Sequence, residues 1–239
     1  LVAAAAVTTI AFTGSKDVGM GMVQAAAVQQ PGQKFVKRVI AEMGGKNAII
    51  VDDTADLDEA VTGVVQSCTG YAGQKCSACS RVILMDSIHD AFIQRLADAV
   101  MSLRIGAAED PATQVGPVID GRAQKRIRDY LEIGRREGQV VVDRSMEGPG
   151  YAVGPVVIAG VEPTHRLAQE EIFGPVLAVM RALSFEQALQ LANGTTYALT
   201  GGLYSRSPRH IELARQAFDV GNLYINRSIT GALVGRQPF

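Results

Sequence analysis

Repeatedly along this chain, a short apolar run stops at a turn or capping residue and a helical repeat takes over. Thr9-Ile10-Ala11-Phe12 gives way at Gly14-Ser15, residues 48–51 at Asp56, and residues 81–85 at Ser87. Residues 176–180 end the same way at Ser184, and residues 199–204 at Ser207-Pro208. Strands alternating with helices predict an α/β fold with a largely parallel sheet and flanking helices. Further strands are expected at 35–41, 140–142, 155–158 and 223–225.

The helix starts have physical reasons. Ser15 can cap a helix running to about Gln30, with Asp17 placed for the helix dipole. Asp56-Leu57-Asp58-Glu59 opens a second helix in capping-box fashion. Its residues Ala60, Val61, Val64, Val65, Cys68 and Ala72 recur at helical period and predict a core face. Ser87 with Asp90 is expected to cap a third helix ending near Leu103. A charged amphipathic helix is expected over 122–137, and helices after Ser184 and Ser207, the last with proline at its first position.

Composition excludes several function classes. The chain has 23 Lys plus Arg against 24 Asp plus Glu, a net charge of −1. That balance offers nothing to nucleic acid or to an anionic membrane surface. No apolar run is long enough to span a bilayer. The three cysteines, Cys68, Cys76 and Cys79, are too few and too odd in number for a disulfide scaffold. They point to a reducing compartment, and the cytoplasm is the expected location.

The chemistry-bearing stretch is Gly70-Tyr71-Ala72-Gly73-Gln74-Lys75-Cys76-Ser77-Ala78-Cys79-Ser80-Arg81. A cysteine becomes a useful nucleophile as thiolate, near helix ends or cations and in partly open sites. Lys75 and Arg81 are near Cys76 in sequence. Inert packing is the plain alternative, and it is the simplest reading of Cys68. Cys76 and Cys79 also form a CxxC pair. Zinc needs four ligands, and only Cys68 and the scattered His89, His165 and His210 remain, so no metal is expected. A thioredoxin-like role needs the pair to open a helix, whereas this one precedes a strand. A cysteine hydrolase needs a histidine base, and none of the three histidines carries a motif.

Two other blocks matter: Glu42-Met43-Gly44-Gly45-Lys46 upstream and Glu170-Glu171-Ile172-Phe173-Gly174-Pro175 downstream. Taken alone, Glu42 is a solvated strand end and Glu171 a strand-entry carboxylate with Glu170 as its decoy. Gly14-Ser15 is an ordinary strand-to-helix turn, and Gly231-Ala232 a plain turn.

In their order, the Glu42, Cys76 and Glu171 blocks resemble the aldehyde dehydrogenase superfamily, in which a cysteine oxidises an aldehyde with a nicotinamide cofactor. The end of the chain, from Asn226-Arg227-Ser228 through Ile229-Thr230-Gly231-Ala232 to Leu233-Val234-Gly235-Arg236-Gln237-Pro238-Phe239, narrows the resemblance. It is similar to the branch acting on glutamate γ-semialdehyde, the 1-pyrroline-5-carboxylate dehydrogenases. The resemblance implies Cys76 as nucleophile and Glu42 as the base that activates water. It implies Gly14 and Ser15 beside the cofactor pyrophosphate, Glu171 on the nicotinamide ribose and Phe173 near the nicotinamide ring. Ser77, Gly231 and Ala232 would hold the substrate carboxylate, the last two through an anion-binding nest of backbone N–H groups.

NAD is the cofactor the resemblance implies, with NADP as the alternative; the partner is a small aldehyde, and the parent protein a homo-oligomer. Residues 1–41 would be the end of a Rossmann-like cofactor domain, 42–226 the catalytic domain, and 227–239 a substrate-anchoring tail. A start without Met and a stop at Gln237-Pro238-Phe239 suit an internal piece of a longer enzyme, expected to be inactive alone. An oxyanion asparagine and the adenosine-ribose grip would then lie before residue 1. The opposing reading is a non-catalytic α/β interaction module.

Overall fold

The computed structural model describes residues 1–232 and divides into two compact units, Leu1–Gly44 and Gly45–Phe239. Leu233 to Phe239, the end of the resemblance-bearing tail, lie outside the described residues.

The first unit is one strand–helix–strand passage. β1 (Thr9–Thr13) leads into α1 (Lys16–Ala27), and β2 (Arg38–Glu42) returns parallel to β1, pairing Thr13 with Glu42. Ser15 occupies the N-cap position but its side chain makes no capping bond, and the helix stops at Ala27, short of Gln30. The second strand starts later than residue 35, because Phe35 and Val36 are exposed and unpaired in the ladder. Lys37, buried, donates its ammonium to the carbonyls of Val2 and Ala4 and so ties the start of the chain to this unit.

The second unit holds a seven-stranded sheet in the order β5-β6-β7-β4-β3-β8-β9. Its strands are β3 (Asn47–Val51), β4 (Cys79–Met85), β5 (Gln139–Asp143), β6 (Val156–Ala159), β7 (Val176–Ala182), β8 (Thr200–Tyr204) and β9 (Asn222–Ile225). All pair in parallel except the antiparallel edge β5–β6. Helices α2 (Leu57–Thr69), α3 (His89–Met101), α4 (Gly121–Glu137), α6 (Phe185–Asn193) and α7 (Pro208–Ala217) flank it, with a single turn, α5 (Arg166–Gln169), between β6 and β7. Burial on both faces explains the near-continuous apolar runs: Ile49, Ile50, Val51, Val82, Ile83, Leu84 and Val179 are fully buried. The α/β architecture with a mostly parallel sheet is as the alternation of strand and helix signals requires.

In the second unit the caps follow sequence closely, with one exception. Asp56 accepts from the Asp58 and Glu59 N–H groups, Ser184 from Gln187 and Ser207 from His210. Ser87 caps nothing. A 3-10 turn (Asp86–Ile88) absorbs it, and α3 begins at His89 with no side-chain cap. Asp90 instead takes part in an ion pair with Arg181 on β7.

Candidate functional site

Helix α2 delivers the cysteine loop. The chain leaves it at Gly70 and coils left-handed through Tyr71 (φ 60°), Ala72 (φ 53°) and Gly73 (φ 68°). The Ala78 N–H then donates to the Lys75 carbonyl at 3.0 Å, closing a tight turn around Cys76 and Ser77 before β4 begins. Cys76 is half-buried at the crest, while Cys68 and Cys79 are buried. Lys75 lies 5.2 Å over the Tyr71 ring. Arg81 turns the other way: its guanidinium donates to the carbonyls of Lys46, Leu191 and Ala192, the last two at the end of α6.

The upstream block grips that turn. Asn47, at the first position of β3, donates to the Cys76 carbonyl at 2.7 Å and to the Ala78 carbonyl at 2.9 Å. Its amide oxygen accepts from the Thr200 N–H on β8. Gly45 packs directly on the loop, so that a Cβ there would strike the Cys76 carbonyl oxygen. The downstream block closes on both. Glu171 Oε1 accepts the Gly45 N–H at 2.9 Å, and Gly73 sits so close to Gly174-Pro175 that a Cβ would run into backbone atoms of both. Within the second unit, three stretches far apart in sequence thus converge on one turn.

Glu170, the decoy, is committed elsewhere. It accepts from Tyr130 at 2.6 Å and forms an ion pair with Arg166, which holds its carboxyl below the usual range. Cys68 is pushed up to about 12 by burial, and Cys79 is raised by burial and by Cys68 beside it. Both stay thiols at neutral pH, and the Cys79 Sγ donates to the Arg81 carbonyl. A dithiol pair with Cys76 therefore has no ready second thiolate.

Backbone strain marks the same places. Among the described residues, the non-glycine positions with positive φ are Tyr71, Ala72, Phe173 (58°) and Asn226 (52°). Each lies in a stretch singled out for chemistry, and left-handed backbone at such residues costs roughly 1–2 kcal/mol. Phe173 is partly exposed beside Glu171. Asn226 is held by a paired bond to the Ser205 N–H and carbonyl. After it, the Ile229 N–H donates to Ser67 Oγ on α2 and Ile229 is buried, which fixes the loop leading to exposed Gly231 (φ 91°) and half-buried Ala232. Ser77 is buried, its carbonyl accepting from Thr200 Oγ1.

In the first unit, Glu42 ends β2 half-buried, and its carbonyl accepts the Gly14 N–H at 3.0 Å. That bond removes the Gly14 N–H from any phosphate contact. Ser15 is exposed at the start of α1.

Asn47 and Lys46 escaped sequence reasoning; the only signal was two polar residues at the head of an otherwise apolar strand. Among the described residues, Asp52, Asp53 and His210 form a cluster of metal-type ligands. Asp52 is fully buried and accepts from Thr54, Ser205 and His210, which stitches the ends of β3 and β8 to α7.

The Gly73 contact gives a clean test. Gly73→Ala forces a side chain into positive φ and into the Gly174-Pro175 backbone, and should destabilise by about 2–5 kcal/mol. Gly70→Ala, where a Cβ meets nothing, should change little. Chemical denaturation midpoints of the two variants would separate them, and equal midpoints would mean the loops do not pack as described.

The comparisons with known proteins point one way. A profile of the aldehyde dehydrogenase family matches residues 1–239. The 1-pyrroline-5-carboxylate dehydrogenase of Geobacillus thermodenitrificans is 48% identical over 231 residues, covering 96% of this chain and 45% of that protein. The Bacillus subtilis enzyme of the same name is 46% identical over the same share of each chain. Among solved structures, a Thermus 1-pyrroline-5-carboxylate dehydrogenase with bound NAD has a TM-score of 0.97 at 49% identity, covering all of this chain and 46% of that one. Proline utilization A from Bdellovibrio bacteriovorus has a TM-score of 0.96 at 50% identity, with 25% of its chain covered. The chain thus spans less than half the length of these relatives. It belongs to the aldehyde dehydrogenase family.

Proposed function

We propose that the protein carrying this chain oxidises L-glutamate γ-semialdehyde to L-glutamate with NAD, as a step in proline breakdown. The observation that carries this reading is the convergence of Gly45-Asn47, Gly73-Cys76 and Glu171-Pro175 on one turn. The names of the relatives and the NAD bound in the Thermus structure support it.

Cys76 is assigned as nucleophile. Its sulfur forms a bond to the aldehyde carbon, giving a thiohemiacetal whose oxygen carries the negative charge. Asn47 fixes the Cys76 carbonyl, and the Cys76 N–H is assigned to the oxyanion; such donors are worth about 3–4 kcal/mol. NAD supplies a hydride acceptor, which leaves the substrate as a thioester on Cys76. Glu42 is assigned to take a proton from water, whose oxygen displaces the sulfur and releases the carboxylate.

The residues fit a nicotinamide cofactor in part. Glu171 keeps one oxygen on Gly45 and offers the other to a ribose hydroxyl, with Phe173 beside it. Because the Gly14 N–H is held by Glu42, the phosphate contact is assigned to Ser15 and the first turn of α1. The first unit is read as the end of the cofactor domain and the second as the nucleophile domain, which moves the expected boundary from 41/42 to 44/45 because Glu42 is the last residue of β2, paired with Thr13. No helix among the described residues is long and apolar enough to cross a membrane. A cytoplasmic homo-oligomer is part of the proposal.

The test is reduced-cofactor formation at 340 nm by the full-length protein given glutamate γ-semialdehyde and NAD. Absence of turnover with a correctly folded protein would favour the non-catalytic module instead. Specificity is a separate matter. If Ser77 and the Gly231-Ala232 nest hold a carboxylate, glutamate semialdehyde should be preferred over an uncharged aldehyde of similar length. Ser77→Ala should shrink that preference roughly ten- to a hundredfold in kcat/KM, the worth of one charge-assisted hydrogen bond. An unchanged ratio would move the anchor elsewhere.

A further inference from the structure

Lys46 is the most anomalous side chain of the second unit. It is 1% exposed, yet its ammonium has no hydrogen-bond partner among the described residues. Its backbone is spoken for, with the carbonyl accepting from Arg81. A buried ammonium without a partner is strongly disfavoured, and an aliphatic residue of similar length would fill the space at less cost. Its charge therefore calls for a reason outside packing.

The groups whose charge acts on Lys46 lie on β4, on α2 and in the 170–171 stretch. Arg81 on β4 opposes its charge. The Cys68 thiol on α2 and the Cys79 thiol on β4 stay protonated. Glu170 lies further along the same electrostatic neighbourhood but is occupied by Arg166 and Tyr130. Glu171 is the one carboxylate left to attract it. That carboxylate is half-exposed and anchored by a single bond to Gly45, the residue immediately before Lys46. A glutamate held by one hydrogen bond at a wet edge would swing between rotamers.

We propose that Lys46 is a positioning residue, whose ammonium holds the Glu171 carboxylate in its Gly45-bound rotamer so that the second oxygen stays aimed at a cofactor ribose. The inference rests on the assignment of Glu171 to the ribose.

It carries a pH signature. Burial and Arg81 together lower the Lys46 pKa from 10.5 to about 7. The ammonium is thus present below about pH 7 and lost above it, so cofactor binding should weaken as pH rises through neutrality. Stability runs the opposite way. Between the folded value near 7 and the unfolded value near 10.5, the unfolded chain binds the extra proton, so the penalty of burying Lys46 is full below about pH 7 and fades towards pH 10.5.

The experiment uses the full-length protein, NAD titrated by calorimetry, and four forms: wild type, Lys46→Met, Glu171→Gln and the double variant. Lys46→Met should weaken NAD binding about tenfold at about pH 6, and by much less at about pH 8.5. The KM for the aldehyde should stay within about twofold. In the Glu171→Gln background, Lys46→Met should have no further effect on NAD. Without any cofactor, Lys46→Met should raise the thermal midpoint at about pH 6, the gain shrinking as pH rises. Lys46→Gln serves instead if methionine disturbs the core.

Unchanged NAD affinity in Lys46→Met, or an equal loss with and without Glu171, would overturn the proposal while leaving the dehydrogenase reading intact. Normal NAD affinity in Glu171→Gln would overturn the ribose assignment, and the role of Lys46 with it. A wild-type protein that binds no NAD would overturn the functional reading itself.

Discussion

Cys76→Ala in the full-length protein should abolish aldehyde oxidation, a fall of roughly 10³-fold or more in kcat/KM. Cys79→Ala should leave most of the activity, although its buried sulfur fills space and its loss should lower stability by about 1–2 kcal/mol. Iodoacetamide should label Cys76 first. The reagent needs a reachable thiolate, and burial keeps Cys68 and Cys79 protonated and shielded. Mass mapping of the first adduct, beside activity of the two variants, decides the matter. Equal loss of activity from both substitutions would revive the dithiol reading that the CxxC spacing first raised. Labelling at Cys68 would mean that α2 opens more readily than its packing implies.

Much of the second unit was legible because its local signals are strong. A parallel sheet covered on both faces writes its central strands as unbroken apolar runs, and residues 48–51, 81–85 and 176–180 could be placed on that ground alone. The apolar stripe of α2 and the caps at Asp56, Ser184 and Ser207 are equally local. Ser87 misled because a capping residue is read one turn at a time, and a 3-10 turn before α3 shifted the start beyond it. The short α5 carries too few residues for a periodic pattern. Strand order was out of reach for a different reason: β4 lies between β3 and β7, and nothing in any one strand states its neighbours.

The site divides along the same line. Cys76, Glu42 and the pair Glu170-Glu171 stand out as residue types beside glycines, but choosing Glu171 over Glu170 from the chain itself needs Tyr130 and Arg166, which sequence does not place nearby. Asn47 gave little warning, because its three side-chain bonds reach Cys76, Ala78 and Thr200 on other passages of the chain. The left-handed turn at Tyr71 and Ala72 was hidden too. Neither residue prefers positive φ, so only the close fit of Gly73 against Gly174 makes that backbone necessary. Strain imposed by tertiary contacts is invisible to propensity.

Glu42→Gln separates the two halves of the proposed chemistry. The amide keeps the size and the shape of the carboxylate, so β2 and the Gly14 N–H bond to the Glu42 carbonyl should survive. What disappears is a base. Attack by Cys76 and hydride loss need no proton acceptor at residue 42, whereas water must lose a proton to displace the thioester sulfur. Rapid mixing of enzyme with NAD and glutamate semialdehyde should therefore show a burst of reduced cofactor near one equivalent per active Cys76, followed by slow turnover. A positioned carboxylate is worth about 10² to 10⁴ in rate, so steady-state kcat should fall by that order. NAD affinity should not move. The acyl group trapped on Cys76 should appear by intact mass after an acid quench. If the burst itself is lost, Glu42 serves the first half of the cycle, by generating the thiolate; if steady turnover matches the parent, another group activates the water.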